Sequence, residues 1–115
     1  MRRGDIYLAD LEPTVGREAG KTRPVVIVSN ERMNSRARTL GSGMVTVVPL
    51  TSNVRVVFDF QVLIESEESG LKVVSKAQVE QVRSIDIERL GPALGRLAPA
   101  RLWELDAAIK LHLAL

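Results

Sequence analysis

Two short, continuous apolar runs place the strongest constraint on the fold of this chain. The runs are Val25–Val28 and Met44–Leu50, and β-branched residues are frequent in both. Such runs are typical of strands that are buried on both faces of a sheet. A strand tolerates proline at its first position, where Pro24 stands, whereas Pro49 interrupts the second run. The chain is therefore predicted to build its core around two buried strands.

Other short segments also have the pattern of strands. Asp5–Asp10 and Val56–Ile64 alternate between apolar and polar residues, and Leu71–Val82 contains one or two further strand-like stretches. Ser66–Gly70 has the composition of a hairpin turn. So many short strands in a chain of 115 residues indicate a small β-barrel that is closed on itself.

Helical signals are brief in the first half of the chain. Ser29-Asn30 can cap a single helical turn over Glu31–Asn34, after which Arg36 and Arg38 indicate a basic loop. Asp86 can cap a second turn over Ile87–Leu90. Both turns are predicted to be short.

The last helical signal is the strongest. Gly91-Pro92 is expected to end the preceding turn, and Pro99 suits the first position of a terminal helix. The apolar residues of that helix recur at helical spacing and are Leu102, Leu105, Ile109 and Leu113. We therefore expect one domain over residues 1–115, of class α+β and rich in β-strand, with a C-terminal amphipathic helix.

The composition excludes several classes of protein. The chain has no cysteine, which rules out disulfides and thiolate zinc sites, and its one histidine, His112, is expected to complement the dipole of the terminal helix. No acidic cluster has the spacing that holds Mg²⁺, and no run approaches the roughly 18 apolar residues of a membrane span. No apolar segment of a secretory signal follows the N-terminus. We expect a cytoplasmic protein with no metal, no cofactor and no membrane segment.

Basic residues are unevenly distributed along the chain. Residues 1–55 carry nine Lys or Arg against five Asp or Glu, and residues 56–115 carry seven against nine. Twelve of the sixteen basic residues are arginine, whose planar guanidinium binds phosphate with two parallel hydrogen bonds. This pattern favours a polyanionic partner, although a GC-rich genome would also enrich arginine.

Three polar segments are candidates for chemistry. The first holds Glu18 and Arg23 in a glycine-containing loop, the second places Thr51 at the exit of a buried strand, and the third contains Glu80 and Arg83. Each segment also has a purely structural interpretation, as solvated charges, as a turn or as a cross-strand ion pair. No other catalytic motif is present.

Taken together, these segments resemble a known family. The strings RGDIYLADLEPTVG, RPVVIVSN, VVPLTSN, EQVRSID and LxxLDxAIKLHL occur in this order, from Arg3 to the C-terminus. The combination resembles the MazF/PemK-type toxins, the ribonuclease components of bacterial toxin–antitoxin systems. The resemblance implies an SH3-like β-barrel with a C-terminal helix that forms a homodimer. It also implies metal-independent cleavage of single-stranded RNA that leaves a 2′,3′-cyclic phosphate and a 5′-hydroxyl.

The resemblance also implies partners and site residues. A cognate antitoxin would block the RNA groove with an acidic C-terminal tail, and any contact with DNA would be indirect, through the antitoxin complex. The implied catalytic residues are Arg23, Thr51 and Glu18. The implied RNA-binding residues are Arg17, Lys21, Ser52, Asn53, Glu80 and Gln81. Some relatives carry serine or histidine where this chain has Arg17.

The residue types suit this chemistry. Arg23 supplies fixed positive charge for the phosphorane, and Thr51 can donate a hydrogen bond to a nonbridging oxygen. An arginine stays protonated in proteins, so Glu18 is the better candidate for the general base.

Two alternatives stay open at this point. One is a non-catalytic toxin of the same fold that poisons gyrase by binding it. Such toxins depend on a C-terminal Trp-Gly-Ile, which is absent here, and Trp103 is interpreted as a packing residue of the terminal helix. The other is an SH3-like module that binds nucleic acid or peptide without cutting it. Exposed aromatic residues would favour that module, but Phe58 and Phe60 are expected in the core or a dimer interface.

Overall fold

Seven short strands and three helices make up the molecule, and the computed structural model describes all residues from Met1 to Leu115. The strands are β1 (Asp5–Asp10), β2 (Thr22–Ile27), β3 (Met44–Thr51), β4 (Gln61–Ile64), β5 (Ser75–Gln78), β6 (Arg83–Asp86) and β7 (Leu90–Arg96). The helices are α1 (Glu31–Leu40), α2 (Ser66–Ser69) and α3 (Pro99–Leu113). Single 3₁₀ turns cover Val79–Gln81 and Ile87–Arg89.

The strands form one antiparallel sheet that is organised around β3. The strand order is β4-β5-β3-β2-β1-β7, and β6 also pairs with β3. The first half of β3, Met44–Val47, pairs with β6, whereas Leu50 and Thr51 pair with β5. Because β3 changes partner halfway along its length, the sheet bends around it.

The two ends of the strand path come together at β7. A Cβ atom added to Gly95 of β7 would lie 1.8 Å from the carbonyl oxygen of Ser69, so the backbones of β7 and α2 are in direct contact. This contact brings the β4–β5 end of the sheet against its β7 end. The predicted class, a β-rich α+β fold of the SH3-like barrel type with a C-terminal helix, is confirmed.

Apolar residues fill two clusters on opposite faces of the sheet. One cluster includes Val26 and Leu105 of α3, and the other includes Val25, Ile27 and Ala37 of α1. The alternation along β2 confirms the prediction that this strand is buried on both faces. Each fully buried valine or leucine contributes roughly 1.5–3 kcal/mol to folding.

The predicted strands are present in the structure wherever a neighbouring strand is available to pair with them. β1 has the predicted bounds, β2 begins earlier than expected, so that Pro24 is its third residue, and β3 continues through Pro49. The predicted strand Val56–Ile64 is wrong except for its last four residues. Its partner β5 has only four residues, so the alternating segment before Gln61 has no strand to pair with.

The prediction of a single helical turn after Asn30 is wrong. The Asn30 side chain does cap the helix by accepting a hydrogen bond from the amide of Met33, but α1 continues for ten residues. Arg36 and Arg38 therefore belong to a helix and not to a loop. The helix ends at Gly41, whose left-handed conformation (φ 67°) is easiest for glycine.

The strand β7 was not predicted. Gly91-Pro92 was expected to stop a turn, but the chain continues as β7 through both residues. The expected turn after Asp86 is confirmed, with the Asp86 side chain accepting from the amide of Glu88. Proline is tolerated at position 92, although it has no N–H to donate, because β7 is an edge strand that pairs only with β1.

Two smaller predictions concern the connections around β5. Ser66–Gly70 does join the antiparallel strands β4 and β5, but it forms the single-turn helix α2. Leu71–Val82 contains one strand, β5, followed by the 3₁₀ turn.

The terminal helix begins at Pro99 as predicted. Leu105 is fully buried, Leu102 and Ile109 pack at the edge of the same cluster, and Leu113 is half-exposed. Trp103 is 75% exposed, so its interpretation as a packing residue is wrong. In the sequence, Trp103 lies between Leu102 and Leu105, which pack against the sheet. None of the three helices has the length and apolar composition required to span a membrane.

Candidate active site

Arg23 and Thr51 lie at the point where β2 and β3 separate. The last pair between these strands joins Val25 to Pro49, and the same register continued by two residues places Arg23 opposite Thr51. Neither Pro24 nor Pro49 has a backbone N–H, so the ladder of hydrogen bonds cannot continue regularly beyond this pair. The separation leaves a pocket of about 320 Å³. Its walls are formed by Thr22, Arg23, Pro24, Leu50, Thr51, Ser52, Val73 and Ser75.

The Arg23 side chain is oriented by one hydrogen bond. Its Nε donates to the carbonyl oxygen of Gly20 at 2.7 Å. Arg23 forms no ion pair, because the molecule's salt bridges involve other residues. The guanidinium is thus held at the pocket with uncompensated positive charge, an arrangement suited to binding an anion.

Thr51 presents its hydroxyl group at the same pocket. Its Oγ1 accepts a hydrogen bond of 3.3 Å from the amide of Asn53, and Asn53 Oδ1 accepts one of 3.3 Å from the amide of Arg55. These bonds form the turn that follows β3. Because Oγ1 acts as an acceptor in this turn, its own proton remains available to a ligand.

The loop between β1 and β2 is closed by a carboxylate. Glu12 accepts hydrogen bonds from the amide of Lys21 at 2.6 Å and from the hydroxyl of Thr14 at 3.1 Å. The Lys21 amide, followed by the Thr14 hydroxyl, holds the pKa of Glu12 below its usual value. A Cβ on Gly20 would lie 2.5 Å from Glu12 Oε2, so only glycine allows this close packing.

Glu18 does not line the pocket that contains Arg23 and Thr51. It is exposed at the tip of the loop, where its Oε1 accepts a hydrogen bond of 2.6 Å from the amide of Val15. The structure therefore brings together two of the three predicted catalytic residues, and the carboxylate is used locally to shape the loop.

Gln81 joins this loop to the body of the protein. Its Oε1 accepts from the amide of Ala19 at 3.0 Å, and its Nε2 donates to the carbonyl oxygen of Arg17 at 3.1 Å. The two hydrogen bonds fix the backbone of the residues before and after Glu18. Both ends of the Gln81 carboxamide are occupied in this structure, and its predicted contact with RNA stays a prediction.

Glu80 anchors the loop between β3 and β4. Its carboxylate accepts two hydrogen bonds from Gln61 Nε2, at 3.1 and 2.9 Å, and Gln61 Oε1 accepts from the amide of Phe58 at 3.1 Å. Arg83 donates instead to the carbonyl oxygen of Leu11, so the structure does not contain a Glu80–Arg83 ion pair. Two adjacent residues of one 3₁₀ turn, Glu80 and Gln81, thus hold the two loops that flank the pocket.

Sequence reasoning missed two residues that support the second loop. Gln61 is only 7% exposed, and Lys76 is also buried and donates from Nζ to the carbonyl oxygen of Val56 at 2.6 Å. Lys76 is the partner of Thr51 in the β3–β5 register. For Gln61 the available signal was a polar residue at the start of the otherwise apolar strand β4, whereas Lys76 lies in the mostly polar strand β5 and had no such signal.

The remaining predicted RNA-binding residues lie on the surface, and of these Ser52 lines the pocket. Arg17, Lys21, Ser52 and Asn53 are exposed, and neither Arg17 nor Lys21 forms an ion pair. Lys21 adopts a left-handed backbone conformation, with φ of 62°. The rings of Phe58 and Phe60 stack with their centroids 5.4 Å apart, and Phe58 is 53% exposed, so it is not a core residue.

No group of three or more His, Cys, Asp or Glu side chains comes together in the structure in a way that could hold a metal ion. The only histidine, His112, lies in the last turn of α3 as expected.

Comparison with known proteins gives a consistent result. Residues 2–113 match the family described as PemK-like, MazF-like toxin of type II toxin–antitoxin system. The chain is 53% identical over 115 residues to the endoribonuclease MazF9 of Mycobacterium tuberculosis, and the match covers 100% of this chain and 98% of the relative.

Two solved structures share the fold. The Mycobacterium tuberculosis toxin MazF-mt6 superposes with a TM-score of 0.78 at 26% identity, covering 96% of this chain and 97% of that one. An endoribonuclease from a mycobacterial species, solved in complex with its cognate antitoxin, superposes with a TM-score of 0.79 at 23% identity, covering 100% of this chain and 96% of that one.

Proposed function

This chain belongs to the PemK-like, MazF-like toxins of type II toxin–antitoxin systems, and on that basis we propose that it is an endoribonuclease that cuts single-stranded RNA without a metal ion. The pocket between β2 and β3 is the observation that carries the proposal. It places an unpaired guanidinium and a free hydroxyl proton at the same opening. These are the groups that a phosphodiester needs when negative charge accumulates on its oxygens.

The reaction is an attack of the ribose 2′-hydroxyl on the neighbouring phosphate. The 2′-hydroxyl gives up its proton and its oxygen forms a new bond to phosphorus, while the bond to the 5′-oxygen breaks and the departing 5′-oxygen takes up a proton from water. The products are a 2′,3′-cyclic phosphate and a 5′-hydroxyl. Arg23 stabilises the charge of the phosphorane through fixed electrostatics, and Thr51 donates a hydrogen bond to a nonbridging oxygen. Removing one such donor typically costs about 3–4 kcal/mol of transition-state stabilisation.

Glu18 is the proposed general base. In the free protein its carboxylate is bonded to the amide of Val15, so it must leave that bond to take the 2′-hydroxyl proton. Catalytic contacts often tighten only when the substrate is bound. The loop that carries Glu18 is held at Arg17 and Ala19 by Gln81, so a rotation of the Glu18 side chain leaves the backbone on either side of it in place.

The surface around the pocket suits a nucleic acid. Arg17 and Lys21 carry unpaired charge on the loop that leads into β2, and Ser52 and Asn53 expose hydrogen-bonding groups. We assign the RNA strand to this rim, together with Glu80 and Gln81.

The same charge supports the proposed partners. The family consists of toxins of type II toxin–antitoxin systems, and an antitoxin with an acidic tail would neutralise the rim and exclude RNA. We propose a homodimer with the RNA groove across its interface, located in the cytoplasm, with DNA contacted only through the antitoxin complex.

The experiment is cleavage of a long, defined, single-stranded RNA in excess EDTA, with primer extension to map the cuts. Polynucleotide kinase labelling without prior phosphatase treatment identifies 5′-hydroxyl ends. We expect discrete cuts for the wild type, and a loss of about 10²–10³ in rate for Arg23→Ala. Thr51→Ala should lose rate in the same range and retain most of its RNA affinity.

Arg32→Ala is the matched control, because Arg32 is an exposed, unpaired arginine on α1. It should cut RNA at the wild-type rate. The proposal is wrong if a folded wild-type protein leaves RNA intact, or if cleavage requires Mg²⁺. The assignment of Arg23 is wrong if Arg23→Ala and Arg32→Ala behave alike.

A further inference from the structure

A second cavity, of about 340 Å³, adjoins the pocket that contains Arg23 and Thr51. The two spaces share three wall residues, Pro24, Val73 and Ser75. The residues that line the second cavity are Leu8, Pro24, Gly70, Leu71, Lys72, Val73, Ser75 and Leu94. A ligand bound at Arg23 can therefore extend into this second space without leaving the protein surface.

The segment Gly70–Ser75 forms one side of the cavity. Gly70 has a φ of +84°, and a Cβ at this position would lie 2.9 Å from the carbonyl oxygen of Leu94. Glycine thus allows the segment to rest directly on β7. Leu71, which is buried, then forms an apolar wall facing the strands that carry Leu8 and Leu94.

The chemistry of the lining is mostly apolar, with a single charge. Lys72 is the only charged residue among the lining residues, it is exposed, and it forms no ion pair. The Ser75 hydroxyl already donates to the carbonyl oxygen of Val73 at 3.3 Å. A ligand therefore meets apolar walls and one ammonium donor at the rim.

These properties fit a nucleobase better than a phosphate group. The faces of a base are apolar and pack well against aliphatic side chains, whereas a phosphate would lose its hydration against leucine walls. The volume lies within the range of small-ligand sites, which begin at about 300 Å³. An ammonium group donates hydrogen bonds only. Every base presents acceptors, but N1 and N7 of adenine lie beside its donor amino group, whereas the other three bases present an exocyclic carbonyl oxygen, so the ammonium group favours those three.

We propose that this cavity is a nucleobase subsite for the nucleotide next to the scissile phosphate, with Lys72 donating to an exocyclic oxygen of the base. The inference rests on the proposed ribonuclease function. Uracil, cytosine and guanine carry an exocyclic oxygen, and adenine does not. The cavity therefore discriminates against adenine at one position of the cleavage sequence, and Lys72 is the specificity-determining residue.

The test compares cleavage patterns of the wild type, Lys72→Met and Lys110→Met on one long RNA of balanced composition. Methionine keeps an unbranched apolar stem and removes the ammonium group. Lys110 is an exposed lysine on α3 and does not line either cavity. The wild type should avoid adenine at one position beside the cut, and Lys72→Met should accept adenine there at a rate within about threefold of the other bases.

Loss of a charged hydrogen bond should lower the rate of Lys72→Met on favoured sites by about tenfold, and Lys110→Met should match the wild type at every position. The proposal is wrong if Lys72→Met slows all sites equally while the base preference beside the cut is unchanged. It is also wrong if the wild type accepts all four bases at both flanking positions.

A second measurement separates this inference from the proposed function. Fluorescence anisotropy reports binding of short RNAs that differ by one base, and it needs no cleavage. If the wild type does not cut RNA, the ribonuclease proposal fails, whereas a Lys72-dependent preference against adenine in binding would still support the subsite. Equal binding of all four bases by a non-cutting protein would overturn both.

Discussion

Replacing Gln81 with alanine should release the loop that carries Glu18. The change removes two hydrogen bonds, from the amide of Ala19 at 3.0 Å and to the carbonyl oxygen of Arg17 at 3.1 Å. A hydrogen bond between uncharged groups contributes about 1 kcal/mol net to stability. Losing both weakens the closed loop by about 2 kcal/mol, which corresponds to a roughly 30-fold increase in the open population.

Native-state hydrogen exchange at Ala19 measures this opening directly, because its amide is the donor to Gln81. We expect the Ala19 amide to exchange roughly 30-fold faster in Gln81→Ala, with little change in the strands. RNA cleavage should also slow, mainly through kcat, because the loop that carries the proposed base Glu18 is then less often ordered.

Gln78→Ala is the matched control for this prediction. Gln78 is three residues earlier, and its Oε1 has no hydrogen-bond partner. Its truncation therefore removes no bond to the loop. The reasoning fails if Ala19 exchange is unchanged in Gln81→Ala, or if Gln78→Ala accelerates it by the same factor.

Two further predictions concern packing and pH. Gly95→Ala should destabilise the fold by about 3 kcal/mol, because the new Cβ meets the Ser69 backbone. A thermal melt should then show a fall in Tm of roughly 10 °C. Gly91→Ala is the control, because a Cβ there would lie 3.4 Å from its nearest neighbour, and it should change Tm far less. The lowered pKa of Glu12 means that its hydrogen bond to the Lys21 amide is fully formed above pH 4.5, the ordinary pKa of a glutamate, and is lost as the pH falls through the lower pKa of the folded state. The Lys21 amide chemical shift should titrate with a midpoint below 4.5, and Glu12→Gln should abolish that titration; a midpoint at or above 4.5 contradicts the geometry.

Strands and helices that leave a pattern in a few neighbouring residues were predicted correctly from the sequence. The β-branched run after Pro24, the alternation of Asp5–Asp10 and the proline that begins α3 each predicted an element that the structure contains. The family resemblance predicted Arg23, Thr51 and Glu18 as catalytic residues, and the register of β2 and β3 brings the first two to one pocket.

The errors arise where distant parts of the chain decide the outcome. Val56–Phe60 alternates like a strand, but β5 is too short to pair with it. Gly91-Pro92 has the composition of a segment that ends a helical turn, yet both residues belong to the edge strand β7, which pairs with β1. The role of Glu18 as a base stays a prediction, because in this structure its carboxylate bonds to the nearby amide of Val15.

The anchors of the two loops could not be predicted for a similar reason. Gln61, Lys76 and Gln81 act through bonds to residues far away in the chain. A single sequence contains no signal that links Gln81 to Ala19. Only the three-dimensional arrangement reveals that the loops beside the pocket share one support.

The position of β3 in the sheet has a consequence for the dynamics of the pocket. β3 has partners in β2, β5 and β6, so its amide protons become accessible only when the whole domain opens. Thr51 lies at the end of this last element to unfold, whereas Glu18 lies on a loop held by a few side-chain bonds. The Thr51 side of the pocket is therefore a fixed reference, whereas the loop that carries Glu18 can fluctuate on a much faster timescale without loss of the fold.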